Sequence, residues 1–230
     1  MKSLGIIGGI GPETSADFYL DVVFGCQKLN NTQHRPLIVM SSVPYPYWLE
    51  NDEIINCNIG EQSKNLLITE AKRLEKSGID MIAMPCNSLH VFINQIRESV
   101  KIPVISILEQ TAKYIKANKF KKVGLISTSA TVKYKNYESI FKQNDINFIV
   151  PNGLDAAKMD QIVQRLTDGI HLNKDRDTLL SVIEDLKNNG ADSIALACTD
   201  LQLLLPKSEQ ISIFDTMKVL ADAVVTCLIE

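Results

Sequence analysis

One stretch of this chain occurs twice. Residues 78–90 read G-I-D-M-I-A-M-P-C-N-S-L-H and residues 190–202 read G-A-D-S-I-A-L-A-C-T-D-L-Q. Gly78 aligns with Gly190, Asp80 with Asp192, Ile82 with Ile194, Ala83 with Ala195, Cys86 with Cys198 and Leu89 with Leu201, all at one offset of 112 residues. Each copy has a glycine that stops a helix, a short continuous apolar run, and a cysteine followed by small polar residues that can cap a new helix. That is the pattern of a buried parallel strand delivering a thiol to its carboxyl end. In open α/β sheets ligands gather outside the carboxyl ends of the strands. Two thiols in equivalent places therefore predict one reaction centre with a sulfur on either side.

The rest of the chain alternates in the same manner. Apolar runs at 4–7, 37–40, 80–84, 102–106, 122–126, 147–150, 192–197 and 211–214 read as strands. Segments 13–29, 60–77, 88–98, 108–117, 132–143, 156–168, 177–189 and 216–229 read as helices. Strands alternating with helices predict an α/β fold of layers with mainly parallel sheets. The strand at 102–106 is expected to open the second half, and the last strand and helix to return to the first. The domains are then 1–100 plus 211–230, carrying Cys86, and 101–210, carrying Cys198. No linker or low-complexity tract separates them, so the halves should pack closely. Tyr45, Tyr47 and Trp48, set among Pro44 and Pro46, are expected to form a stiff flap rather than a regular element, with simple core cover as an equal alternative.

Composition excludes several classes. With 45% hydrophobic and 22% charged residues the 230-residue chain can bury ordinary cores, and a net charge of −3 without a basic run argues against a nucleic-acid partner. No apolar stretch approaches the roughly 20 residues of a membrane span. Met1-Lys2-Ser3 leads directly into the run 4–9, too short for a secretory signal. A cytoplasmic protein with no membrane partner is expected. Five widely spaced cysteines without a C-x-x-C argue against a disulfide framework or a structural zinc site.

What two such thiols can do follows from their chemistry. A helix N-terminus can lower a thiol pKa from about 8.5 toward 7, so a thiolate can stand opposite a thiol. That pair suits racemisation of a carbon acid: one sulfur removes the α-proton from one face and the other returns a proton to the opposite face. Nothing in the sequence announces pyridoxal phosphate, a metal or a flavin, so no cofactor is expected. Backbone N–H groups at Asn87, Ser88, Thr199 and Asp200, with the Thr128 hydroxyl, are the candidate donors for a carboxylate on which charge accumulates. The turn Gly8-Gly9-Ile10-Gly11-Pro12 lacks nucleotide-loop spacing and reads as close backbone approach to a small ligand or to the other half. His90 either tunes the thiolate or bonds along its helix. Asp80 and Asp192 read as strand-entry caps, and Asp200 as an orienting group or a cap.

At these residues the chain resembles the aspartate/glutamate racemase family. The resemblance runs over essentially the whole length and rests on G-I-I-G-G-I-G-P-E-T-S-A-D-F-Y at 5–19, M-P-C-N-S-L-H at 84–90 and A-C-T-D-L at 197–201. It implies two similar three-layer α/β domains with the active site in the cleft between them, Cys86 and Cys198 as the two bases, no pyridoxal phosphate, and a homodimer. The family's ligand-holding positions fall on Gly9, Ile10, Gly11, Asn87, Ser88, Thr128 and Thr199. Where aspartate-specific members carry an arginine in the loop after the second strand, residues 41–53 have no arginine or lysine; where they carry a lysine in the second domain, His171 follows Gly169-Ile170 and is the candidate substrate-binding residue. Aspartate or glutamate is the expected substrate class, and racemisation is better supported than either. A related cysteine isomerase, hydantoin racemase or decarboxylase, and a non-catalytic carboxylate-binding or thiol-redox module, are the alternatives.

Overall fold

The repeated stretch becomes two equivalent strands, one in each of two four-stranded sheets. The computed structural model describes residues 1–29, 34–205 and 212–230. The first sheet contains β1 (Leu4–Gly8), β2 (Ile38–Ser42), β3 (Met81–Ala83) and β4 (Val104–Ile105) in the order β2-β1-β3-β4. The second contains β5 (Lys122–Ile126), β6 (Asn147–Ile149), β7 (Ser193–Leu196) and β8 (Ile213–Asp215) in the order β6-β5-β7-β8. Every pairing is parallel. In each order the chain steps outward from the first strand and then returns to its other side. The crevice this leaves lies between β1 and β3 in one half and between β5 and β7 in the other, where ligands of open sheets bind.

Two strand assignments differ from expectation. The strand near 102–106 pairs with β3 in the first sheet, with Ile82 beside Val104, and the strand near 211–214 pairs with β7 in the second, with Ala195 beside Phe214. Ile211 lies outside the described residues. The reason is the repeat: each cysteine strand is followed by a crossover to an adjacent parallel strand. A two- or three-residue strand carries too little pattern to name its partner in advance. The helices after these strands do cross over. α5 (Ile107–Ala117) packs on α7 (Asn136–Gln143) of the second half, and α10 (Thr216–Ile229) packs on α1 (Pro12–Leu29) of the first.

The exchange builds one shared core. Leu4, Ile6, Met81 and Ala83 from the first sheet and Val123, Leu125, Ala195 and Ala197 from the second belong to the same buried cluster as Phe18, Ile107, Phe141, Leu220 and Val224. Alternate residues point outward into separate clusters. Ile7 and Ile82 meet Leu67 and Leu74 of α3 (Glu61–Lys76), while Ile194 and Leu196 meet Val163 and Ile183 of α8 (Gly153–Thr167) and α9 (Asn173–Asn188). Burial on both faces is why these strands read as unbroken apolar runs. The sequence-expected helix at 88–98 is a 3₁₀ turn at Ser88–Phe92 followed by α4 (Ile93–Ser99). That at 132–143 is broken into α6 (Ser129–Lys133) and α7 by Lys135, whose φ is 56°. No helix among the described residues is long and apolar enough to cross a membrane.

The segment expected as an irregular flap holds a helix, α2 (Tyr47–Ile55). Both prolines lie before it: Pro46 is the N-cap, where a missing N–H costs nothing, and no proline interrupts the following turns. The helix leaves the first half and docks against α6 and α8 of the second. Ile54 inserts into the outer core of that half, Gln164 Nε2 donates to Asn51 Oδ1, and the Tyr134 hydroxyl donates to the carbonyls of Cys57 and Ile59 at 3.1 and 3.0 Å. Its other face roofs the cleft.

Candidate active site

Both halves deliver a thiol to the same cavity. Cys86 follows β3 and Cys198 follows β7; each is buried, at 8% and 7% exposure, and both line one cleft beneath α2. Ile10, Gly11, Asn87, Ser88, Thr128 and Thr199 line it too, so most of the residues singled out from sequence converge there. Gly9 does not line it, and its part is the turn. It sits at φ 87°, left-handed backbone that favours glycine, and its N–H donates to Ser15 Oγ at 2.9 Å. At Gly11 the halves meet closely, since a Cβ there would stand 2.8 Å from Asp200 Oδ1. His171 is not brought into the cavity. It lies exposed, with Nε2 2.9 Å from Glu13 Oε2 across the mouth between the halves.

Several polar residues hold the frame instead of facing a ligand. Asn87 Nδ2 donates to Thr216 Oγ1 at 3.1 Å, and its Oδ1 accepts from the Tyr137 hydroxyl at 2.6 Å. Thr216 in turn donates to the carbonyl of Leu196 at 2.9 Å. A buried chain of hydrogen bonds therefore ties the Cys86 loop to the strand that carries Cys198. The Asn87 side chain is spent on that tie, and its carbonyl accepts from Asn136 Nδ2 at 2.9 Å and from the His90 N–H at 3.2 Å. His90 Nε2 accepts from the Ile107 N–H at 3.2 Å, so Nδ1 carries the proton and donates to the Cys86 carbonyl at 2.5 Å. Burial pulls this imidazole down to about 4 and keeps it neutral. It positions the Cys86 backbone and does not touch the sulfur. Asp80 accepts from the Ser3 N–H and hydroxyl at 2.7 Å, and Asp192 from the Lys121 N–H at 2.7 Å, pinning the first strand of each sheet.

The thiols are not acidified. Burial pushes Cys86 up to about 12 against smaller opposing help from the Leu89 N–H and the Ser88 hydroxyl, and it raises Cys198 well above the usual thiol range with the Asp200 carboxylate adding to it. The expected lowering by a helix end fails for a geometric reason. Each cysteine is followed by a short 3₁₀ turn, Ser88–Phe92 or Leu201–Leu204, which sums far less dipole than an α-helix. The immediate partners differ: Cys86 Sγ lies 3.9 Å from the Ser88 hydroxyl, and Cys198 Sγ lies 3.8 Å from Asp200 Oδ2.

The roof contributes what the sequence reading missed. Glu50 and Glu53, three apart on α2, both line the cavity with Asp200, and among the described residues no lysine, arginine or histidine does. Glu53 accepts from the Tyr45 hydroxyl at 2.8 and 2.7 Å and from Ser63 Oγ. The Glu50 carboxylate has no hydrogen bond or ion pair to any described residue; burial first, then Asp200, Glu53 and Asp168, pushes it up to about 7. Burial likewise pushes Asp200 up to about 6. Taking 47–55 as a helix would have placed both glutamates on one face, and that was the available signal. Among the described residues no cluster of three His, Cys, Asp or Glu side chains is arranged to hold a metal ion.

Known proteins share this arrangement of chain. Residues 7–224 match the family model of Asp/Glu/Hydantoin racemase. The broad specificity amino-acid racemase RacX of Bacillus subtilis (strain 168) is 29% identical over 231 residues, covering 97% of this chain and 96% of that one. The aspartate racemase of Picrophilus torridus superposes with a TM-score of 0.80 at 25% identity, over 99% of this chain and 94% of that one. Glutamate racemase from Francisella tularensis subsp. tularensis SCHU S4, in complex with D-glutamate, shares the fold with a TM-score of 0.63 at 18% identity, over 99% and 81% of the two chains. With both cysteine loops and the cleft between them inside the matched span, the chain belongs to the Asp/Glu/hydantoin racemase family.

Proposed function

We propose that the protein racemises an amino acid by a 1,1-proton transfer in which Cys86 and Cys198 act on opposite faces of the α-carbon. The observation that carries this reading is that two thiols, at matching ends of matching strands from different halves, line one cavity. One sulfur as thiolate takes the α-proton, leaving a planar carbanion. The other, as S–H, gives its proton to the opposite face and becomes the thiolate. The stereocentre inverts, and no net proton or electron is gained or lost.

Burial opposes formation of the first thiolate, so the site needs a proton acceptor and a positive charge. Asp200, 3.8 Å from Cys198 Sγ, is the acceptor. Transfer from sulfur to carboxylate is uphill until a cation stands beside the sulfurs, and the substrate's α-ammonium is that cation. The α-carboxylate is held by the backbone N–H groups of Asn87, Ser88 and Thr199 and by the Thr128 hydroxyl, where the carbanion's charge accumulates. One well-aimed donor of this kind is worth about 2.7–4 kcal/mol in other enzymes. The roof α2 excludes water that would otherwise protonate the carbanion without regard to face.

The test is single substitution of each thiol. Cys86→Ser and Cys198→Ser should each lower racemisation of a cognate amino acid, followed by chiral chromatography without added cofactor, by roughly a hundred- to ten-thousandfold, the range for a positioned acid or base. Full-rate racemisation by either variant would refute the two-thiol scheme.

A further inference from the structure

The cavity's charge points to a substrate class. Among the described residues its lining holds three carboxylates, Glu50, Glu53 and Asp200, and no cationic side chain. A zwitterionic amino acid brings one ammonium and one carboxylate. The carboxylate has the backbone and hydroxyl donors described above, and the ammonium stands beside the thiolate it stabilises, with Asp200 taken up as the proton acceptor. Glu53 is already held by Tyr45 and Ser63. Glu50 is left over: it faces the cavity from the roof, partly shielded from solvent, without a hydrogen-bond or ion-pair partner among the described residues. A second substrate carboxylate would enter among acidic groups with no cationic side chain of the described residues to meet it, whereas a second ammonium would find an unspent acceptor in Glu50.

We propose that Glu50 is the specificity-determining residue and that the protein acts on amino acids with a cationic side chain, of the diamino class, in preference to aspartate or glutamate. This rests on the racemase reading above. Residues 41–53, which run into the roof helix, contain no arginine or lysine that a second carboxylate could pair with. Glu50 also sits on the helix that closes the cleft, so a cation seated against it would strengthen closure as it binds. The alternative role for Glu50, a base in the proton transfer, would move kcat for every substrate; a selectivity role moves mainly KM, and only for charged side chains.

The experiment measures kcat and KM for solvent-deuterium incorporation at the α-carbon of L-lysine, L-ornithine, L-aspartate and L-glutamate, in wild type, Glu50→Gln and Glu50→Asp, with circular dichroism to confirm folding. In wild type the diamino acids should exceed the dicarboxylic acids at least tenfold in kcat/KM. Glu50→Gln should collapse that ratio by about tenfold or more through KM, and Glu50→Asp should restore part of it. A wild-type preference for aspartate or glutamate, or an equal loss on all four substrates in Glu50→Gln, would overturn the assignment while leaving racemisation intact. No incorporation into any amino acid by wild type would overturn the racemase reading and this assignment with it.

Discussion

The two cysteine loops follow equivalent strands and share a place at a sheet crevice, yet the groups beside their sulfurs differ in charge. After Cys86 come Asn87 and Ser88, neutral groups, one of them clasped by Tyr137 and Thr216 of the other half. After Cys198 come Thr199 and Asp200, and a carboxylate lies 3.8 Å from the sulfur. Duplication supplies two equivalent scaffolds. A single acid then makes the two thiols unequal, which a reaction passing a proton from one side of a carbon to the other requires at its start.

The largest test of that asymmetry is Asp200→Asn. It should lower kcat about a hundredfold, the lower end for a positioned proton acceptor, while Ser88→Ala, its counterpart, should cost about fivefold or less, the worth of a neutral hydrogen bond. Equal effects would remove the distinction between the loops. Its pH signature has a definite sign. Asp200, pushed up to about 6, accepts a proton only when ionised, so kcat/KM should rise as pH increases through about 6. Asp200→Asn should flatten that limb.

A smaller effect concerns how the loops are held together. Asn87→Ala removes the 2.6 Å partner of the buried Tyr137 hydroxyl, leaving it Thr111 at 3.5 Å and Thr216, and cuts the tie to Leu196. Thermal unfolding should show a loss of about 1–3 kcal/mol. The matched substitution Thr199→Ala should cost less, since no comparable clasp is formed there.

The smallest effect separates the roof from both loops. Glu50 is raised from 4.5 to about 7 in the fold, so its ionisation opposes folding. That penalty is absent well below pH 4.5 and grows as pH rises toward and through 7. Glu50→Gln should therefore melt higher than wild type at pH 8, by about 1 kcal/mol after allowing for solvent screening, and equally at pH 4. Equal melting at both would show that the roof carboxylate is not strained by its neighbours.

What could be read in advance follows the same contrast. The duplicated motif located both cysteine strands, the parallel α/β sheets and most of the cavity wall, because buried strands on two-sided sheets leave an unmistakable apolar run. The partners of β4 and β8 were not legible, since two or three residues specify no neighbour. α2 was hidden by the prolines that precede it, and Glu50 and Glu53 were hidden with it. The thiol acidity was misjudged because a sequence shows a cap but neither the shortness of the turn after it nor the burial that outweighs it. His171 was placed by its position after Gly169-Ile170, whereas its contact with Glu13 depends on how two distant loops meet.

The most direct measurement follows one enantiomer of a cognate amino acid in deuterium oxide at early conversion, with isotope content read separately in substrate and product by chiral mass spectrometry. With Cys86 and Cys198 on opposite faces, the inverted product carries deuterium at the α-carbon while the recovered substrate stays protiated. Deuterium at equal levels in both would mean that one group serves both faces, and the pairing of the two thiols across a single carbon would be wrong.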